Sequence, residues 1–264
     1  MKIGFIGCGN MGSAMIGGIL KKGIFQKEEI IVSNLTEEGA RRSREKLGVA
    51  ATLDNREVVR STRLLVLAVK PQFYEEVLEE VKDLLTTEHM VVGIAPGKTL
   101  AWLEKKCGKP LKVVRLMPNT PAQVGEGMTG ACINERVTEE DARQIREITD
   151  SFGRTEFVPE RLMDAVGAVS GSSPAYVFMF VEAMADAAVA LGMPRKQAYG
   201  FAAQAVLGSA RMILETGMHP GELKDMVCSP AGTTIEGLRT LEKAGMRSAV
   251  YEALQACAEK GKRL

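Results

Sequence analysis

The sequence predicts an α/β protein, with a doubly wound sheet expected over residues 1–160 and an all-α domain over 161–264. Three observations carry this. A glycine-rich turn, Gly7-Cys8-Gly9-Asn10-Met11-Gly12, lies between the apolar run Ile3–Ile6 and a helical stretch opening at Ser13. Short apolar runs then alternate with helical patterns, which implies βαβ units and a parallel sheet buried on both faces. After about residue 160 strand signals vanish and only helical stretches remain.

The first strand is read over Ile3–Ile6. In the turn after it, Gly7 permits the bend, Gly9 lets the backbone approach a pyrophosphate, and Gly12 lets helix and strand pack closely. The helix amino terminus presents unpaired N–H groups and a positive dipole end to phosphates. In this strand-turn-helix context the spacing predicts a Rossmann-type dinucleotide site. Further strands are predicted at 30–32, 64–69, 90–94 and 113–117, with helices near 11–22, 37–47, 73–85 and 99–106. Two more strand candidates, 127–133 and 154–158, flank a charged helix whose start is marked by Thr138-Glu139-Glu140-Asp141, where acidic residues suit the helix dipole.

In the second half, helices are predicted near 161–169, 174–191, 195–216, 220–226, 231–243 and 246–262. Pro174, Pro194 and Pro220 stand near starts, and Gly192 and Gly217 near ends. The helix from Pro174 is apolar over most of its circumference, so it needs cover from its own domain or another subunit. Glu182 and Asp186 interrupt the apolar segment 174–193, which reads as a buried helix and not a membrane span.

Composition narrows the function classes. With 264 residues, 45% hydrophobic and 25% charged, the chain has the profile of a globular protein. A net charge of +1 gives no reason to expect nucleic acid. The five cysteines are odd in number and scattered, so neither a disulfide framework nor a metal site is expected. A cytoplasmic setting fits these cysteines, and the first strand begins too early to leave room for a secretory signal.

The chemistry-bearing stretches sit at predicted strand ends. The strand at 30–32 ends in Ser33-Asn34, where NAD-preferring folds of this type carry Asp or Glu for the ribose 2′-hydroxyl. Neutral Asn34 would not repel a 2′-phosphate, so NADP is the expected cofactor and NAD the alternative; Arg41 and Arg42 nearby are offset by Glu37 and Glu38. Ala68-Val69-Lys70-Pro71 and Ala95-Pro96-Gly97 close two strands, and Met117-Pro118-Asn119-Thr120-Pro121 closes a third. Ligands of open α/β sheets bind at such carboxyl ends, so these turns should face the cofactor, with the prolines around Asn119 stiffening the loop beside the nicotinamide. In the helical half, Ser170-Gly171-Ser172-Ser173-Pro174-Ala175 reads as a loop in which Ser173 caps the next helix. The stretch from Asp225 to Ile235, with Cys228-Ser229-Pro230-Ala231-Gly232-Thr233-Thr234 at its heart, reads either as a capped helix start or as a cradle for a small anion.

These stretches, with His219-Pro220-Gly221-Glu222-Leu223-Lys224-Asp225, make the chain resemble pyrroline-5-carboxylate reductases over its whole length. The resemblance implies an enzyme that reduces 1-pyrroline-5-carboxylate to L-proline with NAD(P)H, the last step of proline synthesis. It implies that Ile6, Gly7, Cys8, Gly9, Asn10 and Met11 hold the pyrophosphate, with Gly12 completing the motif. Asn34 and Asn55 would contact the adenosine end, and Ala68 to Pro71 with Ala95 to Gly97 would line the nicotinamide ribose. Met226, Ser229, Gly232, Thr233 and Thr234 would meet the substrate, Thr234 at the ring nitrogen. The chain departs from the family in carrying Ser173 where glycine is usual and Met226 where some relatives carry asparagine. The resemblance also implies dimers that gather into decamers; the apolar helices 174–191 and 195–216 independently suggest a homodimer.

A protonated cyclic imine is already a strong hydride acceptor, so the reaction demands position more than proton shuttling. Near-attack placement supplies roughly 7–11 kcal/mol. This suits a chain with only two histidines, His89 and His219, both read as structural. Two rival readings remain at this stage. A β-hydroxyacid dehydrogenase would need a lysine base, for which Lys196 and Lys224 are the candidates before Lys243. A non-catalytic dinucleotide-binding module would have no use for the polar loop at 225–234.

Overall fold

Residues 2–262 are described by a computed structural model. Eight strands form one sheet in the order β3-β2-β1-β4-β5-β6-β7-β8. They are β1 (Ile3–Ile6), β2 (Ile30–Ser33), β3 (Ala50–Thr52), β4 (Leu64–Leu67), β5 (Met90–Gly93), β6 (Lys112–Met117), β7 (Gly127–Ile133) and β8 (Gly153–Phe157). Strands β1 to β6 run parallel, β7 is antiparallel to β6, and β8 is parallel to β7. The helices among them are α1 (Asn10–Lys22), α2 (Glu37–Leu47), α3 (Asn55–Ser61), α4 (Tyr74–Val81), α5 (Leu100–Cys107) and α6 (Glu139–Asp150).

The strands are apolar on both faces because both are covered. Ile3, Phe5, Val32, Val66 and Val92 pack with Met15, Ile16 and Ile19 of α1 and Ile145 and Ile148 of α6. Ile6, Ile31, Leu65, Leu67 and Val91 pack with α3, α4 and α5 through Val58, Tyr74, Leu78 and Leu103. The chain builds β2 and β3 on one side of β1, then crosses to β4, β5 and β6 on the other. The strand order therefore reverses between β1 and β4, where open sheets of this type form their ligand crevice.

Several expectations change. Strand β3 and helix α3 lack the apolar patterns that mark their neighbours: β3 is three half-buried residues, and α3 is seven residues started by Asp54, which accepts from Arg56 N–H at 2.8 Å. The strand read as 64–69 ends at Leu67, because the turn to Pro71 begins there. The stretch 161–169 is not a plain α-helix. A 3-10 turn at Glu160–Leu162 leads into α7 (Met163–Val166), then a π-helical turn at Gly167–Ser172, and then α8 (Ser173–Ala190). The loop expected at Ser170–Ala175 is thus helical, and Ser173 opens α8 without being its cap. Pro174 explains the local distortion, since it has no N–H for the carbonyl four residues back, that of Ser170. Asn119 Nδ2 donates to that carbonyl instead, at 2.9 Å.

The start of this helical segment is fixed to the sheet by charge. Arg115 on β6 is only 3% exposed, and its Nη1 donates to Glu160 Oε1 at 3.1 Å. The same oxygen accepts Leu100 N–H at 2.7 Å.

The chain divides into two compact units. One holds residues up to Ser172 and those from Cys257 onward; the other is Ser173–Ala256. The division falls later than the expected boundary at 160, because α7 and the π turn pack on β7. The second unit contains α8, α9 (Arg195–Thr216), α10 (Pro220–Met226), α11 (Thr233–Lys243) and most of α12 (Met246–Gly261). Helices α8 and α9 pack on each other. Of the two covers expected for the apolar helix at 174–193, its own chain does not provide the whole: Phe178 is 66% and Met179 68% exposed. The helical segment Glu160–Ala190 is long and apolar enough to cross a membrane by length and composition.

Candidate active site

Parallel strands place β1, β2, β4, β5 and β6 with their carboxyl ends on one edge, so the turns singled out in the sequence share that edge. The glycine turn has a distinct reason for each glycine. Gly7 takes φ +91°, and a Cβ there would lie 2.8 Å from Val69 Cγ1 and 2.9 Å from the Ala68 carbonyl. Gly12 packs its helix against the turn, since a Cβ would come 3.1 Å from Gly7 O. A Cβ on Gly9 would meet nothing within 4 Å. Gly9 is also the N-cap of α1, and no side chain caps that helix. Open space over uncapped N–H groups is what a pyrophosphate requires. Ile6 is buried beneath the turn, while Cys8, Asn10 and Met11 reach the surface to different degrees. A groove of about 810 Å³ reaches this turn at Cys8, Gly9 and Asn10 and runs along α1 past Gly17 and Lys21 to Gly153.

Half-buried Cys8 gives this crevice a chemical probe. Burial pushes the Cys107 and Cys132 thiols up to about 12, so neither supplies thiolate at neutral pH. Saturating NADPH should slow iodoacetamide labelling of Cys8 at least about tenfold. Peptide mass spectrometry reads this directly; labelling of Cys8 indifferent to the cofactor would remove it from the phosphate crevice.

At the adenosine end, Asn34 Nδ2 donates to Ser43 Oγ at 3.2 Å, and that hydroxyl donates to Gly39 O at 3.1 Å. Glu37 and Glu38, next along the chain, pair with Arg44 at 2.5 Å and Arg42 at 3.0 Å. The Asn55 amide is occupied at both ends: Oδ1 accepts from Ser33 Oγ and Nδ2 donates to Glu80 Oε2, each at 2.7 Å. It ties β2 to α4, with one N–H and one oxygen lone pair of the amide left over.

At the other end, Ala68–Pro71 follows β4 and Ala95–Gly97 follows β5, with Ala95 buried and Lys70 exposed. Their strands are neighbours, Leu67 lying opposite Gly93. Asn119, expected in the loop beside the nicotinamide, has its side chain engaged by the protein. Asn119 is buried; besides donating to Ser170 O, its Oδ1 accepts Met128 N–H at 2.8 Å, so it organises the loop from within. Sequence reading missed Tyr74, whose hydroxyl joins the β4 and β5 ends. Its place directly after a strand-end turn was the available signal.

In the second unit, Ser229–Gly232 forms a turn closed by Gly232 N–H to Ser229 O at 3.0 Å. Pro230 occupies its second position and Ala231 its third, at φ +59°. That is a type II turn with alanine where glycine is usual. A Cβ on Gly232 would collide with Ser229 Oγ at 2.2 Å. Gly232 is the N-cap of α11, which has no side-chain cap, and Thr233 and Thr234 stand exposed in its first turn beside Ser229. Of the two earlier readings, the capped helix start is excluded, while an open N–H terminus flanked by hydroxyls suits a carboxylate. Met226, at the end of α10, is 67% exposed.

Both histidines and Lys224 have structural partners. His89 is buried, with Nδ1 accepting Thr86 N–H at 3.0 Å, and His219 Nδ1 caps α10 by accepting Gly221 N–H at 3.1 Å. Lys224 pairs with Asp225 at 2.7 Å, a hydrogen bond that holds its ammonium above the usual lysine range. Lys196 is exposed. A charged Lys224 is a poor proton acceptor, which weighs against the hydroxyacid dehydrogenase reading.

Comparison with known proteins agrees with this layout. Residues 160–264 match the family profile described as pyrroline-5-carboxylate reductase dimerisation, and residues 2–97 match that described as NADP oxidoreductase, coenzyme F420-dependent. Pyrroline-5-carboxylate reductase of Escherichia coli K12 is 50% identical over 263 residues, covering 100% of this chain and 98% of the relative. That of Methanosarcina acetivorans is 48% identical, covering 100% and 97%. Among solved structures, Plasmodium falciparum pyrroline carboxylate reductase with NADP bound superposes with a TM-score of 0.91 at 33% identity, covering 100% of this chain and 97% of that one. The Coxiella burnetii pyrroline-5-carboxylate reductase gives 0.91 at 37% identity, covering 99% and 97%. With half its residues shared along its full length, and with the same fold, this chain belongs to the pyrroline-5-carboxylate reductase family.

Proposed function

We propose that the protein reduces 1-pyrroline-5-carboxylate to L-proline with NAD(P)H, acting in the cytoplasm at the last step of proline synthesis. The observation that carries the cofactor half is the uncapped start of α1 under an open Gly9. Residues 1–160 hold the dinucleotide and 161–264 supply substrate contacts and the dimer. When bound, NAD(P)H supplies the hydride. The protein's part is to hold the substrate carboxylate on the N–H groups of α11, with the Thr234 hydroxyl directing the ring nitrogen. Few acid–base groups are required, in keeping with two histidines that both serve the fold.

NADPH is the preferred form in this reading. Asn34 stands where a carboxylate would repel a 2′-phosphate, and the nearby Glu37 and Glu38 are neutralised by arginines. The exposed apolar residues of the second unit, among them Phe178 at 66% and Phe201 at 68%, support a homodimer through these helices, with five dimers forming a decamer.

Loss of NADPH absorbance on adding 1-pyrroline-5-carboxylate tests the reaction, and parallel assays with NADH rank the cofactors. No cofactor consumption would reject the activity. Thr234→Ala should lower kcat by about tenfold or more, the range for losing one positioned proton-transfer group. Unchanged kinetics would strip Thr234 of its role.

A further inference from the structure

We propose that Tyr74 is a positioning residue for the nicotinamide end of the crevice, its hydroxyl fixing the spacing between the turns at Ala68–Pro71 and Ala95–Gly97. This rests on the dinucleotide reading above. The phenol oxygen donates to Leu67 O at 2.5 Å and accepts Ile94 N–H at 2.9 Å and Ala95 N–H at 3.1 Å. A phenol has one hydrogen to give and can accept two, so its capacity is filled. The partners lie on two adjacent strands where their ladder stops, Leu67 and Gly93 being the last paired residues. Beyond that point backbone groups need another partner, and the tyrosine provides it.

The residue is placed for this purpose by its own segment. The turn Ala68–Pro71 runs through a 3-10 turn at Pro71–Phe73 directly into Tyr74, the first residue of α4. One nicotinamide-side turn thus carries the group that holds the other. The ring is fully buried, near Trp102 at a centroid distance of 6.4 Å, and a Cβ on Gly93 would lie 3.6 Å from its edge. Burial also drives the phenol far above its ordinary titration range, so the hydroxyl stays protonated and its donor bond persists at any working pH.

Tyr74→Phe keeps the ring and removes only the oxygen. Its dissociation constant for NADPH should rise about tenfold, whereas that for ADP, which spans only the adenosine and pyrophosphate contacts, should stay within about twofold. A general loss of order would weaken both ligands together. Val77→Ala, which opens a cavity in the same helix and the same apolar cluster but removes no hydrogen bond to either turn, is the control and should leave both constants within about twofold. Equal weakening of both ligands by Tyr74→Phe, or no weakening, overturns the assignment. Failure of the wild type to bind NADPH would instead overturn the dinucleotide reading on which it stands. Should Tyr74→Phe not fold, hydrogen exchange in the wild type decides: the Ile94 and Ala95 amides should be protected to the level of β5 and further slowed by NADPH. Rapid exchange, or no response to the cofactor, counts against the assignment.

Discussion

Gly9→Asp should leave the cofactor-free protein at least as stable as the wild type while weakening NADPH at least about 100-fold. The two halves of this expectation have separate causes. Gly9 has an extended backbone at φ −78°, ψ −162°, in the N-cap position of a helix that no side chain caps. Aspartate favours that position and over glycine is worth about a few tenths of a kcal/mol, so the empty protein loses nothing. Nothing lies within 4 Å of the added Cβ, so no clash offsets the gain. The bound state suffers because a carboxylate then occupies the space meant for a pyrophosphate. At roughly 4 Å two like charges cost about 4 kcal/mol in a partly screened site. Thermal unfolding without cofactor and titration with NADPH measure the two halves. Gly7→Ala should behave differently, since its left-handed backbone and its contact with Ala68 perturb the empty protein as well. Normal NADPH affinity in Gly9→Asp would remove the phosphates from this turn.

Glu160→Ala should destabilise the protein by about 3 kcal/mol, near the lower end for breaking an enclosed ion pair because Glu160 is partly exposed. Arg115 would keep its charge at 3% exposure with no carboxylate opposite. Its Nε already lacks a partner, so the guanidinium has nothing in reserve. Leu100 N–H loses its acceptor too. The melting temperature should fall by roughly 6–12 °C. Combining Arg115→Met with Glu160→Leu should recover most of this, leaving about 1 kcal/mol for the orphaned Leu100 amide. If the double variant were as unstable as the single one, charge burial would not be the cause.

Features written in contiguous residues could be read from the sequence. The glycine turn combines a buried strand, an obligatory left-handed residue and a helix start within ten positions; Gly7 and Gly12 each have a steric reason, while Gly9 leaves open space. The hydroxyl-rich bend at Ser229–Thr234 is similarly local. What escaped depends on partners far along the chain. Nothing around Asn119 announces that the carbonyl of Ser170 awaits it, and nothing near Tyr74 names Ile94 and Ala95. Strand β3 escaped because an edge strand of Ala50-Ala51-Thr52 needs little apolar character. The reversed direction of β7 was open to inference: the connector 118–126 is shorter than the dozen or more residues a parallel crossover requires.

The proline at 174 has a bearing on how this protein can be recombined. Its ring leaves one carbonyl of the preceding helical turn to be served by an amide from the loop after β6. Proline, carbonyl and amide are therefore inherited as a set, although more than fifty positions separate the first from the last. A hybrid that joined this sheet to helices of another parent at the obvious junction near residue 160 would split that set whenever the donor lacked either member. Crossovers placed before Met117 or after Ala175 keep it intact.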